Sequence, residues 1–154
     1  EGAATILRST LNNNAGAIVS AGGAVSIANS TLTENGGLIG RAGGVTNVSG
    51  SVTLYNSTGS HNTTAGLHGA GLFTYPAGVT IMYNSVVAHN TYFLTAAETD
   101  CTGPVTFIGP NLVKVLAGCT VGGTMPTEAT SLTSGFNPVV SVSTTRISFS
   151  FIKD

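Results

Sequence analysis

The sequence predicts an all-β fold, a right-handed parallel β-helix (solenoid) of about five to six rungs with a C-terminal extended tail strand. Three observations carry that expectation. A thirteen-residue unit recurs four times without an internal gap: GAATILRSTLNNN from Gly2, GAVSIANSTLTEN from Gly23, GSVTLYNSTGSHN from Gly50 and GVTIMYNSVVAHN from Gly78. The offsets of 21, 27 and 28 residues between units lie in the range of solenoid repeats rather than of helix or hairpin patterns. Within each unit the apolar residues alternate, as in Val25-Ser26-Ile27 and Val52-Thr53-Leu54, which is the period of a strand with one buried face.

The composition agrees. Of 154 residues, 21 are Gly and 50 are Ser, Thr or Asn, a mixture that disfavours helix throughout. Charged residues are only 7% of the chain while hydrophobic residues are 42%, so the chain is not disordered through charge. A net charge of -1, with five scattered Lys and Arg, leaves no basic stripe for nucleic acid. The longest apolar runs, such as Val113 to Ala117, fall far short of the 18 or so residues that span a bilayer, so no transmembrane segment is expected. The sequence starts at Glu1 with neither Met nor a basic-then-apolar leader, as expected of a processed mature chain or an excised fragment.

Taken in order, each unit contributes a strand, a corner, a second short strand and a turn. In a coil that climbs one strand spacing, about 4.8 Å, per turn, like positions lie over one another. Gly2, Gly23, Gly50 and Gly78 then form one column, and Ser9, Ser30, Ser57 and Ser85 another. Asn14, Asn35, Asn62 and Asn90 form a third. Asn29, Asn56 and Asn84 form a fourth, with Arg8 as its exception. Both Asn columns are expected to be structural ladders in which side-chain amides hydrogen-bond along the axis. Leu11, Leu32 and Val87 face inward in the second strand, and Gly59 interrupts them. In the fourth unit the Asn spacing aligns Thr80 and Met82 with Val52 and Leu54, whereas chemistry prefers Val79 and Ile81 inside, so a one-residue bulge is expected there. Residues 1–125 are assigned to the coil, and 126–154 to a turn-rich linker and tail strand. In that tail Ile147, Phe149 and Phe151 alternate with Ser148 and Ser150, a strand needing a partner sheet in its own coil or in a neighbouring copy.

After Asn90 the repeat breaks into TDCTGPVTFIGPNLVKVLAGCTV, residues 99–121. Together with the preceding units, this segment resembles the C-terminal part of secreted right-handed parallel β-helix surface proteins of the CSLREA-domain type. The resemblance rests on Asp100, Cys101, Gly103, Val105, Gly109, Asn111, Leu112, Val113, Gly118 and Cys119, and spans roughly residues 2–121. A more distant likeness is to the repeats of autotransporter adhesins and polymorphic outer-membrane proteins. The upstream signature that names the CSLREA group is absent, and a Thr-rich stretch replaces the family's following rungs. The resemblance implies a coil and a cell-exterior setting, with no assigned chemistry.

Cys101 and Cys119, in a chain this poor in charge, read as one disulfide. The alternative, a metal pair, lacks neighbouring ligands. An oxidising, extracellular or cell-surface location follows from the disulfide. Enzymatic chemistry finds little support. The six acidic residues, Glu1, Glu34, Glu98, Asp100, Glu128 and Asp154, do not stack into the carboxylate cluster that polysaccharide-cleaving β-helices need, and Asp100 reads as a turn cap. The Ser column has no paired base. Glu34, His61 and His89 share a column one residue before the third, which could ligate a transition metal, although solvated turn residues are the plainer reading; no metal, cofactor or catalytic residue is therefore assigned. Four N-glycosylation sequons begin at Asn29, Asn47, Asn56 and Asn62. Asn47 and Asn62 are the expected acceptors, because stacked inward Asn residues cannot carry a glycan.

The expectation for function is an extracellular structural protein that self-associates through open coil ends, the C-terminal strand, or both, into a filament, surface layer or adhesin stalk. The alternative is a module binding carbohydrate, such as a cell-surface glycan, or another surface ligand. Ice binding ranks lower, because Thr5, Ser26 and Thr53 form only a broken row, and polysaccharide degradation ranks lower for want of carboxylates.

Overall fold

The computed structural model describes residues 2–124, 127–128, 136–143 and 146–153. They form an all-β parallel solenoid with no helix. The first rung holds β1 (Ala3–Leu7) and β2 (Thr10–Asn12). The second holds β3 (Ile18–Ala28), β4 (Thr31–Thr33) and β5 (Gly36–Gly37), and the third β6 (Val45–Tyr55), β7 (Thr58–Ser60) and β8 (Thr63–Thr64). The fourth holds β9 (Leu72–Thr74), β10 (Gly78–Tyr83), β11 (Val86–Ala88) and β12 (Thr91–Tyr92). Then follow β13 (Cys101–Ile108), β14 (Leu112–Val113), β15 (Gly118–Gly123) and β16 (Thr127–Glu128).

These strands stack into three parallel sheets. One runs β1-β3-β6-β10-β13-β15, with β9 beside β6 and β13; the second runs β16-β14-β11-β7-β4-β2; the third runs β12-β8-β5. Only the second to fourth rungs close on all three faces, so the coil makes about four turns rather than the expected five to six rungs. The long strands β3 and β6 have a split counterpart in the fourth rung, where Tyr75-Pro76-Ala77 separates β9 from β10. Pro76 has no N–H for the ladder, which suits it to the break.

Vertical registry is continuous. Ile6, Ile27, Leu54, Met82 and Phe107 pair in one column, and Val25, Val52, Thr80 and Val105 in the next. Leu11, Leu32, Gly59, Val87 and Val113 form the facing column. All three stacks contribute apolar side chains to the core, joined by Ile18, Val45 and Leu72. The bulge expected in the fourth unit is absent: Thr80 and Met82 point inward at 2% and 0% exposure while Val79 is 53% exposed. Thr80 is tolerated because its Oγ1 meets the Thr74 Oγ1 at 2.7 Å and accepts from the Asn47 Nδ2 at 3.2 Å. The register irregularity lies instead between Ser20 and Ala24 in β3. Here Gly23 and Gly50 have φ of +74° and +81°, and a Cβ on Gly50 would lie 2.3 Å from the Gly23 carbonyl oxygen. Only Gly fits such a bend under an adjacent rung.

The tail differs from expectation. It is not a single strand but an antiparallel hairpin of β17 (Phe136–Ser143) and β18 (Arg146–Lys153), in which Val142 pairs Ile147, Val140 pairs Phe149 and Pro138 pairs Phe151. The partner of the Ile147-Phe149-Phe151 strand is thus the chain segment just before it. The side chains of these strands, and the linker residues 125–126 and 129–135, lie outside the described residues.

Candidate functional site

Two hydrogen-bonded ladders run parallel to the axis, flanking the second sheet. In the Asn column each side chain donates its Nδ2 to the Oδ1 one rung on: Asn14 to Asn35, Asn35 to Asn62 and Asn62 to Asn90, each at 2.9 Å. Each backbone N–H donates to that same oxygen at 3.0–3.1 Å. The second amide hydrogens of Asn35, Asn62 and Asn90 go back to the carbonyls of Leu11, Leu32 and Gly59. Asn35, Asn62 and Asn90 are fully buried, yet none of these three amides is left unpaired, which is the condition for a buried polar stack to be stable. This is the ladder the repeat predicted.

The last member of the stack is not an amide. Asp100 Oδ1 accepts from Asn90 Nδ2 at 2.8 Å and Asn90 N–H at 2.9 Å, and Oδ2 accepts the Val115 N–H at 2.9 Å. A carboxylate accepts on both oxygens and has no hydrogen to pass on, so it terminates the stack. Asp100 is therefore the end cap of the ladder rather than a simple turn cap. Burial pushes its carboxyl up to about 6 from 3.8, against the lowering effect of the Asn90 and Val115 hydrogen bonds. Next to it Cys101 is joined to Cys119 with a Cα–Cα separation of 5.5 Å, within the usual disulfide range.

The second ladder is built from Ser. The N–H groups of Ser9, Ser30 and Ser57 donate to the Oγ of Ser30, Ser57 and Ser85 at 3.1, 3.2 and 3.1 Å. Each Oγ in turn donates to the carbonyl two residues earlier, those of Leu7, Ala28, Tyr55 and Tyr83. The Ser85 N–H ends the series on Asn111 Oδ1 at 2.9 Å. The unbroken Ser column in the repeat was the signal for this ladder.

The fourth column is a correction. Asn29, Asn56 and Asn84 do not form an inward ladder; their φ values are 51°, 47° and 47°, and Arg8 at 49° shares the conformation. They are left-handed corners, a backbone state that Asn tolerates better than most side chains. One weak contact joins them, Asn56 Nδ2 to Asn29 Oδ1 at 3.4 Å on the surface. The second corner column holds Asn13, Glu34, His61 and His89, with φ between 54° and 58°. The His61 and His89 rings stack at 5.7 Å. Among the described residues no three His, Cys, Asp or Glu side chains converge as metal ligands. His89 Nδ1 lies instead 3.4 Å from Glu98 Oε1 and 3.3 Å from Lys114 Nζ, and Lys114 pairs with Glu98. Burial first, then the Lys114 charge, lowers the His89 pKa.

The expected glycan acceptors are also corrected. Asn47 and Asn62 are both 0% exposed. Asn47 donates to the Val79 carbonyl and the Thr80 hydroxyl, and Asn62 is a ladder member. Neither amide can carry a glycan in the folded chain. Of the four sequon residues, Asn29 is exposed and Asn56 half-buried, the reverse of the order expected from sequence.

At the first rung the pattern runs out. The strands β1 and β2 each pair on one side only, with β3 and β4. Leu7 is exposed, and Ile6 and Leu11 are only partly buried at the end of the core. Asn14 Oδ1 and Ser9 Oγ, which occupy the positions that accept from a preceding rung elsewhere in the ladders, receive no hydrogen bond from the described residues. No known family, curated protein or solved structure matches this chain.

Proposed function

We propose that this protein is an extracellular structural rod that self-associates through its coil ends, its C-terminal strands, or both, into a filament, surface layer or adhesin stalk. One observation carries the reading. The coil stacks its strands in parallel register with two hydrogen-bonded ladders along the axis, while the tail strands β17 and β18 pair only with each other among the described residues, so each keeps an outer edge. Such an edge is a template for strand addition. Two further features support it: the Cys101–Cys119 disulfide suits an oxidising exterior, and among the described residues no helix is long and apolar enough to cross a membrane.

Electron microscopy and sedimentation velocity of the purified chain over a range of concentrations test the reading. Head-to-tail fibres or concentration-dependent growth are expected, and a monomer at every concentration rejects it. Replacing Ile6 by Lys, which sets a charge beside the apolar core, is expected to abolish growth that runs through the coil ends while the far-ultraviolet dichroism stays that of a β-coil. Removing Val139 to Asp154 separates the two junctions. Fibres that survive the deletion use the coil ends, and fibres that are lost use the tail hairpin.

A further inference from the structure

The five most exposed large apolar side chains among the described residues all sit at one corner of the coil. Leu38, Ile39, Leu67, Phe93 and Leu94 are 62–87% exposed. They follow the stacked strands of the third sheet, where Gly37, Thr64 and Tyr92 share one column, so they project from turns on successive rungs. The turns are held, not loose. Arg41 N–H donates to the Leu38 carbonyl at 3.0 Å and the Tyr75 hydroxyl donates to the Gly40 carbonyl at 3.0 Å. Residues 91–99 leave the coil as a small hairpin, closed by the Tyr92 N–H to Ala97 carbonyl bond at 2.8 Å and the Thr99 N–H to Asn90 carbonyl bond at 2.8 Å. Between this hairpin and the Gly66–His68 turn lies an open pocket of about 330 Å³, lined by Leu67, Tyr92, Thr95, Ala97 and Thr99.

We infer that this corner docks on a lipid bilayer surface. Side chains this exposed stand out as separate knobs, whereas a protein partner would need matching holes over a broad, partly covered patch. A fluid bilayer accepts knobs without complementary shape. Charge points the same way. The segments 38–42, 65–69 and 92–97 contain no Asp or Glu, Arg41 is exposed among them, and the neighbouring Glu98 is paired with Lys114. Arg41 suits lipid phosphate, Tyr92 and His68 suit the polar-apolar boundary, and the pocket lined by Leu67 offers an apolar recess. None of these residues belongs to the first rung or to the tail strands, so this inference and the self-association reading stand or fall separately.

The chain has no Trp, so Phe93→Trp provides a single reporter at the tip. With vesicles of phosphatidylcholine and phosphatidylglycerol its emission is expected to shift to shorter wavelength, and the wild-type chain is expected to float with those vesicles in a density gradient. Combining Leu67→Ser, Phe93→Ser and Leu94→Ser is expected to weaken flotation by about tenfold or more, with dichroism unchanged. Leu7→Ser with Val79→Ser, on another face, is expected to leave it intact. Unshifted emission, wild-type protein that stays at the bottom of the gradient, or a triple variant that floats as well as wild type would each overturn the assignment. So would lipid-free dimers that the triple variant abolishes, since the corner would then be an interface between copies.

Discussion

Asn62 and Asn56 come from the same repeat unit, six residues apart, and each has an Asn counterpart in the adjacent units. Asn62 is fully buried, with its amide donating to Leu32 and Asn90 and accepting from Asn35. Asn56 sits at a left-handed corner with φ 47° and one long surface contact. The same residue type recurs at one period for two unrelated reasons. In one column the side chain supplies hydrogen bonds between rungs, and in the other the backbone conformation selects it. The Arg8 exception marks the difference: a corner column admits any residue that can bear positive φ, while a ladder column admits only a side chain that both donates and accepts.

Breaking the ladder in its middle has the largest expected effect. Asn62→Ala removes the acceptor of both the Asn35 N–H and the Asn35 Nδ2, and strips partners from Leu32 and Asn90. With about 1–3 kcal/mol for each buried group left unpaired, the expected loss is about 4 kcal/mol. A chemical denaturation midpoint within error of wild type would show that water replaces the amide at no cost, and that the stack is a passenger of the fold.

Next comes the ladder's end. The folded Asp100 carboxyl is pushed up to about 6 from 3.8, so the native state holds its proton more tightly than the unfolded chain does. The stability this contributes is fully present below the unfolded value of about 3.8 and is lost as pH rises through about 6. The shift corresponds to about 3 kcal/mol between those limits. Urea midpoints measured from pH 4 to pH 7, with the other carboxylates as background, are expected to fall for wild type. In Asp100→Asn that component is expected to vanish, while the Val115 N–H loses its carboxylate acceptor. A variant whose pH slope matches wild type would move the titration to another group, with His89, whose pKa burial lowers, the first to examine.

Much of this molecule was legible as text because a solenoid converts sequence period into spatial contact. The aligned units placed Asn14, Asn35, Asn62 and Asn90 in one stack and Ile27 over Leu54. What period cannot encode is the sign of φ, so the Asn29 column read as a ladder and the glycan ranking came out reversed. Nor does period reveal satisfaction of a buried hydroxyl: Thr80 lies inside because Thr74, six residues earlier, meets it, and no alternation rule sees that pair. Asp100 reads from sequence only as a turn cap, because the repeat has already broken and the ten-residue step from Asn90 matches no rung length. The hairpin in the tail was missed for a plainer reason: the two residues between its strands, Thr144 and Thr145, include neither the Gly nor the Pro that announces a turn.

The smallest expected effect falls on the corner. At φ 47° an L-residue with a Cβ is strained, and Asn is favoured there only relative to other side chains. Asn56→Gly relieves that strain but enlarges the freedom of the unfolded chain, and the two effects nearly cancel, leaving a change within about 0.5 kcal/mol. Asn56→Ala keeps the Cβ and is expected to cost about 1 kcal/mol. The same pair of substitutions at Asn62 should reverse the logic, since neither Gly nor Ala can rebuild an amide and both lose the ladder. If Asn56→Gly proved as damaging as Asn62→Ala, the corner side chains would be carrying cohesion between rungs, and the distinction between a conformational column and a bonded one would fail.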